Sequence, residues 1–410
     1  MDLDDGGLIG NTAHLSDPMA LRMSIGGRGL ICRERSGKLL ISFPGRYTAG
    51  DSMISAAISV FLQSMKKRLF FLVLLAAGVS ACCAQATPMA PDAPIVDSSF
   101  VSTTVASLQS LIEQKYFDEA AIPRINASLG AALARGDFSR EKDLSDFAAQ
   151  LTATLYQASH DKHLFVAVSG PSNSGSDKVQ MTRAESARLR NYGVKSARVL
   201  DGNVGYLEIT GFYRADEGAE TVDAAMRFLA HTDALILDFR VNGGGSPDTA
   251  LQLLSYFFSE SNLSLFSIVP RSGAPIIERT VQTGVAYRDE TRPVYALVSA
   301  QTWSAGEGVP FILQERHRAK VIGEKTAGAA NPAAPWTINQ ALTVTIPFGH
   351  IKSSVEGKNW EGTGVVPDTI VSPEKAIQAA YVQALEGLLA RTASIPQRQM
   401  ISNALANARK

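Results

Sequence analysis

The sequence predicts an α/β protein with a small helical domain on its N-terminal side. Two patterns predict this. Over the C-terminal half, continuous apolar runs of strand length alternate with segments whose apolar residues recur at helical spacing. Before that, helical spacing stands alone. The composition agrees with a folded chain: 45% of the 410 residues are hydrophobic and 19% charged, enough apolar side chain for a large core. The formal charge is zero, from 39 basic and 39 acidic residues, with no basic clustering of the kind a nucleic-acid partner requires.

The N-terminal quarter does not read as part of the fold. Lys66, Lys67 and Arg68 precede an apolar run from Leu69 to Val79, which ends in small residues. Residues 65–86 therefore read as a secretory signal, too short in its apolar run to span a bilayer. Two processing sites fit. Val79-Ser80-Ala81-Cys82 resembles a lipoprotein box, with Cys82 lipidated and attached to a membrane. Ala84-Gln85-Ala86 fits ordinary cleavage and release into the periplasm. Residues 1–64 lie upstream of that signal and are expected to be a disordered, non-native extension, with Met65 as the first residue. Residues 87–98, rich in Pro and Ala, read as a linker. The only cysteines are Cys32, Cys82 and Cys83, so the rest of the chain has neither a disulfide scaffold nor a cysteine nucleophile.

Along the mature chain, Val101, Val105, Leu108 and Ile112 mark one helix. Ile125, Leu129 and Leu133 mark a second, stopped near Gly136, and Leu144 to Leu155 a third. With a strand over His163–Val168 they make a helical domain, 99–168. A Ser/Gly-rich loop follows at 170–185. The core domain is expected over 186–392, and 393–410 as a C-terminal tail. Within the core, Val204–Ile209, Ala234–Phe239, Val294–Val298, Val321–Gly323 and Leu342–Ile346 read as strands. Helices are expected over Glu217–Ala230, Thr249–Phe258, Gly306–Arg318 and Ser372–Leu389. The runs at 234–239 and 294–298 lack alternation, as strands buried on both faces do.

Four segments carry candidate chemistry. Ser304 follows a buried strand and a short turn, at the start of a helix, where free N–H groups and the helix dipole favour developing negative charge. The plainer reading is an N-cap serine. Asp238-Phe239-Arg240-Val241-Asn242-Gly243-Gly244-Gly245 leads from a strand into glycines that can present backbone N–H groups, or form only a tight turn. His160 and His163 flank a helix-to-strand junction. Their spacing could bring both to one metal, but no third ligand cluster accompanies them, and a base for Ser304 is better motivated. Glu361 lies in a glycine-rich turn, and a carboxylate is what a histidine base needs for orientation.

In this order the segments resemble the tail-specific (C-terminal-processing) serine protease family, over roughly residues 100–390. Asp238-x-Arg240-x-Asn242-x-Gly244-Gly245, Ser304-Ala305-Gly306-Glu307, Gly323-Glu324-Lys325-Thr326-Ala327-Gly328 and Gly364-Val365-Val366-Pro367-Asp368 carry the resemblance. One branch of the family uses a Ser–Lys dyad. Here Ala329 stands where its lysine belongs, and Lys325 matches a non-catalytic position. The chain is instead similar to the histidine-using branch, which includes the tricorn protease core and interphotoreceptor retinoid-binding protein. That resemblance implies a crotonase/ClpP-like core without a PDZ module, for which the interval 169–190 is too short. It implies Ser304 as nucleophile, His163 as base with His160 in reserve, Glu361 as orienting carboxylate, and Gly244 and Ala305 as oxyanion donors. Lys162 stands where this branch can carry a serine just before the histidine. The expected activity is peptide-bond hydrolysis by an exported endopeptidase, acting on a peptide or protein and needing neither metal nor organic cofactor. The alternative is a non-catalytic periplasmic carrier of an apolar ligand or peptide on the same fold.

Overall fold

The computed structural model describes residues 96–140, 143–169, 181–283 and 291–410, together with backbone stretches between residues 2 and 43. The signal segment 65–86, Cys82 within it, and residues 87–95 of the linker lie outside the described residues. The chain divides into two units, 1–89 and 90–410. In the first, β1 (Asp2–Asp4) pairs antiparallel with β2 (Leu8–Gly10), and β3 (Leu21–Gly26), β4 (Gly29–Glu34) and β5 (Leu39–Phe43) form an antiparallel sheet. Strands thus stand where disorder was expected, over a period-two alternation of Leu21, Met23 and Ile25.

In the second unit, α1 (Ser98–Lys115) begins one residue after Asp97, whose carboxylate accepts the Phe100 N–H at 2.7 Å. This cap ends the linker. Helix α2 (Ile122–Ala134) stops before Gly136, which takes the left-handed φ of 72°, and α3 (Leu144–Ser159) completes the bundle. Their apolar faces bury Leu108, Ile112, Ile125, Phe138, Phe147 and Leu151 completely.

This domain is not closed by its own residues. Strand β6 (Phe165–Val168) pairs antiparallel with β15 (Leu342–Pro347), which in turn pairs with β14 (Ala333–Thr337). Leu342, Val344 and Ile346 enter the helical domain's core. The segment 333–347, assigned from sequence to the core domain, returns to finish the helical one.

The main sheet has six strands. Running across it are β17 (Thr369–Ile370), β13 (Lys320–Gly323), β12 (Val294–Val298), β9 (Ala234–Asp238), β8 (Val204–Ile209) and β7 (Val194–Leu200). All adjacent pairs are parallel except β7 with β8. Both faces are covered, which is why β9 and β12 are buried at every position. On one face Leu207, Leu235, Leu237, Ala296 and Val321 pack among α5 (Ala215–Phe228), α6 (Pro247–Ser255) and α7 (Ala305–Glu315). On the other, Tyr206, Ile236 and Leu297 meet α8 (Pro373–Arg391) and α9 (Ile395–Ala408). A small antiparallel sheet, β11 (Ile276–Arg279), β10 (Ser264–Pro270) and β16 (Gly349–Ser353), flanks the first face.

Residues 393–410, expected as a tail, form α9 instead, with Ile401, Ala404 and Leu405 buried against the sheet's second core. Helix α4 (Arg183–Leu189) likewise begins inside the expected loop, closed by a Thr182–Glu185 capping box. Ile401 is 1% exposed. Ile401→Ala should therefore cost about 2–5 kcal/mol in urea unfolding; unchanged stability would show that α9 does not support the sheet.

Candidate active site

The site assembles at the C-terminal ends of the parallel strands, where open α/β sheets leave a crevice. After β12, Ser299 and Thr302 hook the chain onto the β9 exit. The Ser299 hydroxyl donates to the Arg240 carbonyl at 2.5 Å, the Thr302 hydroxyl to the Phe239 carbonyl at 2.8 Å, and the Trp303 N–H to the Asn242 carbonyl at 2.9 Å. Ser304 is thereby held at φ 54°, ψ −124°, ahead of α7. A positive φ on a non-glycine residue is a strained conformation that the surroundings must impose. Here it presents the hydroxyl outward beside the first free N–H of the helix, that of Ala305.

The other half of the site rides on the helical domain. The Asp161 carboxylate accepts the His163 N–H at 2.9 Å, fixing the turn between α3 and β6. Asp161 is itself bound by the Tyr116 hydroxyl at 3.2 Å and the Asn331 amide at 2.9 Å. The His163 ring then reaches across, with Nε2 3.0 Å from Ser304 Oγ and the ring edge against Trp303. Burial holds the imidazole down at about 4, so it is neutral near pH 7 and free to accept a proton.

Glu361 stands close by: one polar atom each of Asp161, His163 and Glu361 lies within 4.8 Å of the others. Its Oε2 accepts from the Ala330 and Asn331 N–H groups at 2.6 and 3.0 Å. Its Oε1 and His163 Nδ1 are both buried without a hydrogen-bond partner. The orienting bond expected between them is not formed here. Burial, then the Asp161 charge, push the Glu361 carboxyl up to about 7.

The oxyanion donors need a correction. The Gly244 N–H donates to Asn242 Oδ1 at 2.8 Å and is occupied. Asn242, fully buried, also donates to the Ile209 carbonyl at 2.9 Å. Gly244 matters for space instead, since a Cβ there would stand 2.8 Å from the Ser304 Cβ. His160, the reserve base, caps α3 as an exposed left-handed residue against Tyr156, away from Ser304.

Sequence reading assigned no role to Glu307, although Ser304-x-x-Glu307 has capping-box spacing. Glu307 is fully buried. It accepts the Ser304 N–H at 2.9 Å, the Thr326 hydroxyl at 2.5 Å, and the Gly328 and Ala329 N–H groups at 2.6 and 2.9 Å. Burial raises its carboxyl above the usual range, and these donors oppose that. Lys162, in the position where the histidine-using branch can carry a serine, donates from its ammonium to the Ala327 carbonyl. This ties the base's turn to the same loop.

Beside Ser304 opens a cavity of about 580 Å³, walled mainly by apolar side chains of α6, α7, β10 and β16, with Trp360 at its edge.

The arrangement is an α/β core with a serine at a helix N-terminus and a histidine brought to it from the helical domain. Residues 203–371 match the profile of peptidase family S41, and residues 96–196 that of the N-terminal domain of Peptidase S41 in eukaryotic IRBP. The chain thus carries a peptidase family S41 domain and, before it, a domain matching that family's N-terminal domain. It is 28% identical over 187 residues to a carboxy-terminal-processing protease of Bartonella bacilliformis, covering 43% of this chain and 41% of that one. It is 26% identical over 170 residues to a carboxyl-terminal-processing protease of Synechocystis, covering 41% and 38%. The chain thus matches less than half the length of these relatives. Among solved structures, a lipoprotein from Streptococcus agalactiae superposes with a TM-score of 0.47 at 14% identity, over 74% of this chain and 99% of that one. The tricorn protease superposes with a TM-score of 0.43 at 14% identity, over 95% and 41%.

Glu307→Gln would set an amide NH₂ against two of the four donors. A buried donor without an acceptor costs about 1–3 kcal/mol, so a loss of about 2 kcal/mol or more is expected in urea unfolding. Wild-type stability in the variant would refute the bracing role.

Proposed function

We propose that this chain is a serine peptidase in which Ser304 attacks a peptide carbonyl and His163 Nε2 takes its proton. The 3.0 Å contact between these atoms carries the reading. The carbonyl oxygen, turned tetrahedral and negative, is received by the Ala305 N–H at the head of α7. Expulsion of the amine requires His163 to return the proton, and water then releases the acyl group by the same route in reverse.

Glu361 is the orienting carboxylate. Ionised, its Oε1 can accept from Nδ1–H, which leaves Nε2 unprotonated and able to act as base. Protonated, it would donate to Nδ1 and favour the tautomer that cannot take the serine proton. The Lys66-Lys67-Arg68 charge cluster and the apolar run after it support export, with Cys82 as the candidate lipid attachment point. The substrate is a peptide or protein.

Ser304→Ala should lower turnover by roughly 10⁴-fold or more with circular dichroism unchanged; full activity in that variant ends the proposal. An alkyl fluorophosphonate should label Ser304 in the wild type. Absent labelling, with an apolar molecule co-purifying, would favour the carrier alternative.

The pH profile follows from the two carboxyl states. Ionised Glu361 increases as pH rises through about 7, so kcat/KM should climb between about pH 6 and 8 rather than fall. Glu361→Gln should remove that rise and lower kcat by about 10²–10⁴-fold. A profile identical to wild type would exclude Glu361 from the mechanism.

A further inference from the structure

The cavity next to Ser304 has a composition that speaks to what enters it. Leu251, Leu254, Phe266, Ile312, Phe348 and Trp360 are among its walls. Among the described residues, none of the lining side chains carries a formal charge. The space, about 580 Å³, lies within the roughly 300–1,000 Å³ typical of built ligand sites. Its packing is set: a Cβ on Gly308 would meet the Trp360 ring at 3.2 Å, and Trp360 is anchored by its N–H on the Ala329 carbonyl at 3.1 Å.

The cavity also has a direction relative to the chemistry. Ser304, His163, Ala305 and Gly245 are among its lining residues. Its long walls are α6 and α7, which start just after Gly245 and at Ala305, so it runs back from the side where the oxyanion would sit. The leaving amine must face His163, which returns its proton. The side chain pointing down the cavity therefore belongs to the residue that supplies the attacked carbonyl.

We infer that this cavity is the specificity pocket for that residue and selects bulky apolar side chains, of the phenylalanine or leucine kind, at internal positions of the substrate. The inference rests on the serine peptidase reading. A small side chain would leave apolar wall unfilled. A lysine or glutamate would surrender its hydration to a pocket with no opposite charge among its described lining residues. A chain-terminal carboxylate meets the same obstacle, so the pocket itself does not read a free C-terminus.

The test uses diphenyl phosphonate esters of phenylalanine, leucine, alanine and lysine. The Ser304 oxygen bonds to phosphorus, phenol departs, and the amino-acid side chain stays on the acyl side. Full burial of a large apolar side chain corresponds to roughly 10- to 100-fold. The phenylalanine and leucine esters should therefore inactivate the full chain at least about tenfold faster than the alanine ester, and faster still than the lysine ester. Leu251 is only partly buried, and Leu251→Glu should raise the lysine-to-phenylalanine ratio at least about tenfold. If that variant fails to fold, as judged by loss of fluorophosphonate labelling, the wild-type ranking alone decides. Equal inactivation by all four esters, with fluorophosphonate labelling intact, overturns the pocket assignment and leaves the serine peptidase standing. No labelling of the wild type by fluorophosphonate overturns both.

Discussion

One buried carboxylate organises this molecule's centre. Glu307 sits on the first turn of α7 with no ion pair among the described residues, and its burial is tolerated because four donors converge on it. Those donors come from Ser304 and from the loop after β13. The Thr326 hydroxyl, while donating to Glu307, also accepts the Val365 N–H at 2.7 Å, which brings in the turn that carries Glu361. One buried carboxylate thus fixes Ser304, the loop and the Glu361 turn in common register. The strain at Ser304 is sustained by this web and by the hooks from Ser299 and Thr302 to the neighbouring strand exit.

Asn242 performs a comparable service on the glycine turn. Its side chain takes the Gly244 N–H and its carbonyl takes that of Trp303. A Cβ on Gly306 would come within 2.5 Å of the Asn242 Oδ1. The glycines of this region therefore admit close approach of two turns more than they offer donors. Asp238 and Arg240 form a separate brace: the guanidinium grips the Asp238 carboxylate and the Pro373 carbonyl, and the Tyr206 hydroxyl closes on Asp238 at 2.7 Å. Asp238, Arg240 and Asn242 of that sequence motif thus bond to the surrounding frame.

The elements legible in sequence were those with one strong period or unbroken burial. The strands at 204–209 and 294–298 match in both bounds, and the three N-terminal helices to within a few residues. Strands β7, β10, β11, β14 and β16 escaped because they lie at sheet edges or in small sheets. Partial exposure there mixes polar and apolar residues, as in Lys195–Leu200 and Ile276–Arg279. Ser304 and His163 could be named as partners only through the order of motifs, since 141 residues separate them. The parts of Glu307, Asp161 and Asn331 were not legible, because each depends on hydrogen-bond partners far along the chain. The oxyanion assignment to Gly244 erred for the same reason, because only the fold shows Asn242 turning back onto it.

The return of residues 333–347 to the helical domain governs how the protein could have been assembled and how it can be taken apart. A fragment ending near residue 168 would hold β6 with no neighbour, a bare apolar edge seeking any strand that passed. The imidazole of His163 would hang from that edge without Asn331 to steady Asp161 behind it. One hairpin, β14 with β15, completes the helical domain's sheet and core, so that domain is not a detachable module.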